Sequence, residues 1–112
     1  MKTFLVLWYG EQMTKPPSPE EGKAIIEAWG KYLGGLGANG TLVNGSAFPV
    51  MPGGKMITPK GTVDYKSEKL DVNGCLILKA KDYAEAVKIV KGAPEMERSN
   101  VLIREAAEVQ RS

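Results

Sequence analysis

Apolar residues come in short runs separated by glycine, proline and charge, and the spacing within each run predicts the element. Phe4 to Tyr9 is continuously apolar or aromatic and is closed by Gly10, which predicts a strand. Glu11 to Ser18 holds Pro16 and Pro17 and predicts a loop. Ser18-Pro19-Glu20-Glu21 is a helix start: Ser18 caps free N–H groups, Pro19 suits the first helical position and Glu21 completes a capping box. Ile25, Ile26, Trp29, Leu33 and Leu36 then recur at helical spacing, so the helix runs from about Pro19 to Leu36. Gly22, Gly30, Gly34 and Gly35 oppose it by roughly 1 kcal/mol each relative to Ala, which burial of the apolar stripe must offset. Gly30 and Gly34, one turn apart, are expected to let the helix approach a sheet closely.

Gly37 to Gly40 ends the helix, and a second strand follows within Thr41 to Pro49, with Leu42 and Val43 apolar. Phe48 to Gly54 reads as a loop. Lys55 to Tyr65 reads as a hairpin, with Met56-Ile57 and Val63-Asp64-Tyr65 as arms and Pro59-Lys60-Gly61 as the turn. Lys66 to Asn73 is polar and expected to be exposed. Gly74 to Lys79 is the clearest strand. Asp82 caps a second helix, Glu85 gives a second box, and Tyr83, Ala86, Val87 and Val90 are expected to form its apolar face until Gly92 and Pro94 stop it. Val101-Leu102-Ile103 is the last strand, and Ala106 to Val109 has a weak helical pattern.

The order is β-α-β-(hairpin)-β-α-β, without an internal repeat or composition break, so residues 1–112 read as one domain. It predicts an α+β, ferredoxin-like βαββαβ fold with an inserted β-hairpin, and right-handed crossovers put both helices on one face of the sheet. Such a sheet should alternate apolar and polar residues. These strands do not. Phe4, Val6 and Trp8 point one way, while Leu5, Leu7 and Tyr9 point the other; Leu76 and Leu78 oppose Cys75 and Ile77; Val101 and Ile103 oppose Leu102. The helices can cover one face only. About six further large side chains, at ~1.5–3 kcal/mol each when buried, would contribute on the order of 10 kcal/mol before association costs. A second copy packed sheet to sheet would supply the cover, making a homodimer; a competing arrangement folds Met56, Ile57, Val63 and Tyr65 of the hairpin back over the face.

Composition narrows the chemistry. Hydrophobic residues make up 43% and charged residues 25%, as in an ordinary globular chain. The formal charge of +2 is too balanced for a dedicated nucleic-acid binder, and the basic-Gly-aromatic motif of RNA-recognition sheets is absent despite Lys79, Lys81, Lys88 and Lys91. There is no histidine, which excludes His-based triads, His-ligated metals and proximal-His haem. The single cysteine excludes an intrachain disulfide and any cysteine-cluster metal site. Cys75 lies in an apolar strand without an adjoining cation and reads as a small hydrophobe. The opening apolar run is shorter than a secretory core and no run approaches a membrane span, so the expectation is a cytoplasmic protein with no membrane partner.

Gly35-Leu36-Gly37-Ala38-Asn39-Gly40 matches G-x-G-x-x-G but follows a helix and precedes a strand, the reverse of a dinucleotide site, so it reads as a helix C-cap and implies no cofactor. Asn39-Gly40-Thr41 and Asn44-Gly45-Ser46 read as turn chemistry rather than glycosylation sites. Trp8, Tyr9, Trp29, Tyr32 and Tyr65 are pocket candidates, although Trp8 and Trp29, each taken alone, suit a core better. Asp64, Arg104 and Glu105 stand near strand ends, and an Arg beside a carboxylate can orient an acidic ligand. Asn44 and Ser46 can supply neutral hydrogen bonds at a cleft mouth.

Several segments together resemble the YCII-related, or DGPF-domain, family over most of the chain. They are the opening strand ending Trp8-Tyr9-Gly10, the stretch Leu36 to Gly45, Gly74-Cys75-Leu76-Ile77-Leu78 followed by Asp82-Tyr83-Ala84-Glu85-Ala86, and Val101-Leu102-Ile103-Arg104. The resemblance implies a dimeric α/β barrel, in agreement with the two-faced strands. Two features depart from it. The first-helix histidine that many members carry is replaced by Trp29, and the Asp-Gly-Pro-Phe segment is replaced by Ser67-Glu68-Lys69-Leu70. Histidine-dependent activity is therefore not carried over. The expectation is a homodimer binding a small organic molecule in a cleft near the first helix, with non-histidine chemistry if any. The ligand-binding candidates are Tyr9, Trp29, Asn44, Asp64, Tyr65 and Arg104, with no metal ligand among them. The alternative is a non-catalytic interaction or accessory module.

Overall fold

The computed structural model describes residues 1–11, 17–47, 53–66 and 70–107. Strand β1 (Lys2–Glu11) leads to helix α1 (Pro19–Ala38) and strand β2 (Leu42–Ala47). The hairpin β3 (Lys55–Thr58) and β4 (Gly61–Asp64) follows, then β5 (Leu70–Ala80), α2 (Tyr83–Val90) and, after a short 3-10 turn at Met96–Arg98, β6 (Ser99–Glu105). The main sheet has the order β2-β5-β1-β6, and each neighbouring pair is antiparallel. Both β-α-β units are split: β5 lies between β1 and β2, and β1 between β5 and β6. This mixed α+β topology is compatible with a ferredoxin-like fold.

The local signals for α1 act as expected. Glu21 N–H donates to Ser18 Oγ at 3.1 Å and Ser18 N–H to Glu21 Oε1 at 3.4 Å. At the other end Thr41 N–H donates to the Leu36 carbonyl at 2.9 Å and Gly40 N–H to that of Gly37 at 3.2 Å, with Gly40 at φ 77°. This is a Schellman closure, and it accounts for the glycine-rich motif without a nucleotide. At α2, Glu85 N–H donates to Asp82 Oδ1 at 2.9 Å, but the Glu85 carboxylate accepts from Lys81 N–H rather than from the cap residue itself.

One core lies between the helices and one face of the sheet. Phe4, Val6 and Trp8 of β1 meet Leu76, Leu78 and Ala80 of β5, with Leu36, Ala86, Val90 and Ala93 buried above them. Trp29, Tyr32, Leu33, Leu42, Ile89, Met96, Val101 and Ile103 pack around this centre.

Several expectations need correction. Lys66–Asn73 is not a uniformly exposed polar segment: β5 begins at Leu70, and Asp71 is buried opposite Gly10. A Cβ on Gly10 would meet the end of the Asn73 side chain, which would have to move aside. Asn44-Gly45 lies in β2 at a register irregularity rather than in a turn, and a Cβ on Gly45 would meet the Leu76 side chain and the Cys75 carbonyl. Gly30 and Gly34 do not seat α1 against the sheet; they are exposed and have open space where a Cβ would stand. On α2 the buried positions are Ala86 and Val90, flanked by Ile89, while Val87 and much of Tyr83 face solvent. Residues 106–107 are not helical, and the rest of the expected tail helix lies outside the described residues. So do most of the expected loops at 11–18 and 48–54 and the stretch 67–69.

Candidate functional site

Two neighbourhoods stand out, one on each face of β1. On the helix side, strand alternation points Trp8 inward beneath α1. Trp29 and Tyr32, three residues apart, project from one side of that helix. The Trp8 and Trp29 rings meet edge to face with centroids 5.3 Å apart, and Trp29 and Tyr32 do the same at 5.8 Å. The Tyr32 hydroxyl donates to the Ile89 carbonyl at 3.0 Å, tying α1 to α2. Burial pushes its phenol pKa up to about 12, because the charged phenolate would lose its hydration there. Trp8 is 3% exposed, and its indole Nε1 is buried without a hydrogen-bond partner among the described residues. Such a donor forfeits on the order of 1–3 kcal/mol.

The other side of the sheet is apolar across three strands. The register sets Leu5 between Ile77 and Arg104, Leu7 between Cys75 and Leu102, and Tyr9 between Val72 and Asn100. Asn44 continues the first row beside Ile77. Leu5 and Leu102 remain 37% and 41% exposed, and among the described residues no helix packs on this side. The hairpin does not cover the face either. Its strands pair only with each other, and every residue from Lys55 to Asp64 is exposed. The fold-back arrangement is thus overturned, since a covering hairpin would have buried Met56 and Val63.

The six candidate residues do not converge in a single chain. Tyr9, Asn44 and Arg104 belong to the open face, Tyr9 half-buried and the other two exposed. The Asn44 side-chain oxygen accepts from Gly45 N–H at 2.8 Å, so it serves its own backbone. Trp29 lies on the opposite side, against Trp8. Asp64 and Tyr65 stand at the hairpin base: Asp64 pairs with Lys55 across the ladder, and Tyr65 N–H donates to the Gly54 carbonyl at 2.8 Å. Glu105 forms a 3.7 Å ion pair with Lys2 rather than with Arg104. Among the described residues no group of three or more Cys, Asp or Glu side chains could hold a metal ion, and no helix is long and apolar enough to cross a membrane.

In the sequence Trp8 and Tyr32 stand out only as aromatic candidates, and Val72 does not stand out at all. The signal for Trp8 was its β1 alternation, which puts it on Trp29's side. That for Tyr32 was its spacing from Trp29. Val72 had no comparable signal, because its orientation depends on the irregularity between Trp8 and Tyr9. No family model matches the chain, and no curated protein matches it in sequence.

Proposed function

We propose that this protein is a homodimeric α/β barrel of the YCII-related type that binds a small organic molecule at the Trp8–Trp29–Tyr32 corner. The observation that carries the ligand reading is the buried, unpartnered indole N–H of Trp8 beside the half-buried Trp29 ring. A planar or apolar compound bearing one hydrogen-bond acceptor fits that chemistry: the acceptor satisfies the donor, and the aromatic edges contact the remainder. Because Nε1 is buried, a ligand reaches it only if neighbouring side chains move aside. Any reaction there proceeds without an imidazole, as the chain has no histidine. The dimer reading rests on the second apolar face, since exposed patches of that kind mark interaction surfaces. We place the protein in the cytoplasm, where the free thiol of Cys75 stays reduced.

The test is a screen of small aromatic and carbonyl compounds by thermal shift and tryptophan fluorescence. Binders are expected to raise the melting temperature and perturb tryptophan emission, and Trp29→Ala should change their affinity. A screen in which no compound does either defeats the ligand reading. A second reading, a non-catalytic interaction module, draws on the exposed hairpin. Stoichiometric association with a different protein, without any small-molecule response, would favour it.

A further inference from the structure

Helix α1 is held unevenly along its length. In its second half the Tyr32 hydroxyl bonds to the Ile89 carbonyl, Leu33 and Leu36 pack into the core, and the Schellman closure fixes the end. From Pro19 to Trp29 no residue is buried: Gly22, Ile25 and Trp29 are half-buried, and Ile26 is 73% exposed. The capping box and the 4.0 Å Lys23–Glu27 ion pair join residues of this same half, so they keep it helical without tying it to the sheet. Its ring contact with the sheet is Trp29 against Trp8. Gly30 follows directly. It is exposed, and a Cβ there would meet nothing within 4 Å, so no close approach calls for glycine. What glycine changes is the helix itself, which it favours about fivefold less than alanine does. The weak point in α1 thus separates the anchored half from the half that carries Trp29. Trp8, in contact with that ring, holds a buried indole N–H without a partner among the described residues.

We propose that the first half of α1 is a lid that swings at Gly30, carries Trp29 off Trp8 and opens the indole N–H to a ligand; the inference rests on the ligand reading above. Tyr32, Leu33 and Leu36 stay in place, so the second half of α1 and the sheet form the fixed wall of the opened site. Segments with few buried contacts open locally at far less cost than global unfolding, and the lid is such a segment. Its internal capping box and ion pair let it move as a formed helix, so closing does not repeat the costly nucleation step. A ligand acceptor that bonds the indole N–H holds the lid only when it closes again, with the Trp29 ring returned to the aromatic corner.

Hydrogen exchange at the Trp8 indole N–H, followed by NMR on the full chain without ligand, tests the lid apart from any binder. The Val6 amide, on a fully buried residue of a strand paired on both sides, reports global unfolding. The indole N–H is expected to be protected about tenfold less, or weaker still, than the Val6 amide. Gly30→Ala should slow its exchange about fivefold, by the helix preference it adds at the joint. Gly34→Ala, at a second exposed site with open space but within the anchored half, should leave it unchanged. An indole N–H as protected as the Val6 amide overturns the lid, and so does equal slowing by both substitutions, since exchange would then follow unfolding of the whole helix. These outcomes do not depend on any compound. A compound screen without a binder, alongside the expected exchange pattern, removes the ligand reading and supports the swing.

Discussion

Leu102→Ser separates the contribution of the open face from that of the fold. Leu102 is 41% exposed and stands opposite Leu7 in the middle apolar row. A leucine presents about 180 Å² in an extended chain, so about 75 Å² is left for a partner to cover, or about 2 kcal/mol at ~25 cal/mol per Å². A two-fold dimer contains the residue twice, giving an upper bound of about 4 kcal/mol, or nearly three orders of magnitude in Kd. Partial coverage and the area serine retains reduce this, so one to two orders is expected. The same substitution also uncovers the roughly 105 Å² that the chain's own neighbours already cover, so monomer stability should fall by about 2–3 kcal/mol at every dilution. The assay is sedimentation equilibrium with thermal melts at low and high protein concentration. Wild-type melting temperature should rise with concentration, and the variant should lose most of that rise on top of its constant offset. A constant offset with the wild-type concentration dependence retained would refute the reasoning. So would undiminished dimerisation.

Other positions test the helix side and the local signals. Phe4→Ala, at a fully buried site in edge-to-face contact with Tyr83 at 4.9 Å, should cost about 3–5 kcal/mol in urea unfolding. Ser18→Ala should cost about 1 kcal/mol by removing the Oγ acceptor at the start of α1, read as a lower denaturation midpoint at unchanged m-value. Gly45→Ala should destabilise by about 1–3 kcal/mol, because its Cβ meets Leu76 and the Cys75 carbonyl lies 3.2 Å away; a neutral result would mean that β2 shifts freely. Tyr32 makes stability depend on alkaline pH. Its folded pKa of about 12 lies above the unfolded value near 10, so its contribution is fully present below about pH 10 and is lost as pH rises toward 12. Tyr32→Phe should flatten that part of the stability profile, as measured by urea unfolding at stepped pH.

The fold was legible where local chemistry and period agreed. Ser18, Pro19 and Glu21 mark the start of α1 to the residue, and the apolar runs around Val6, Leu76 and Leu102 identify three of the four sheet strands. Legibility failed where a neighbour's shape decides. Asp71 reads as loop because it is polar, yet it belongs to β5, pairs with Gly10 of β1 and is buried there. Gly30 and Gly34 read as a packing notch, yet their place on the helix circumference turns them outward. The candidate site failed for a related reason. Its members share aromatic or polar character near strand ends, a property that does not say which side of the sheet each one faces.

That question was answerable from the sequence. Trp8 and Tyr9 are adjacent in a strand, so a pocket built with Trp29 on the helix side can include one of them but not the other. Alternation through β1 therefore allots the two proposed activities to opposite surfaces: Trp8 faces Trp29, while Leu5, Leu7 and Tyr9 lie on the open face proposed to meet a second copy. They meet through the backbones of the sheet strands, of which β5 and β1 are hydrogen-bonded on both sides. Ligand binding and association should accordingly be nearly additive, with little coupling between substitutions at Trp29 and Leu102. Strong coupling would require β1 to shift as a unit, and Phe4 and Val6, both fully buried, oppose such a shift.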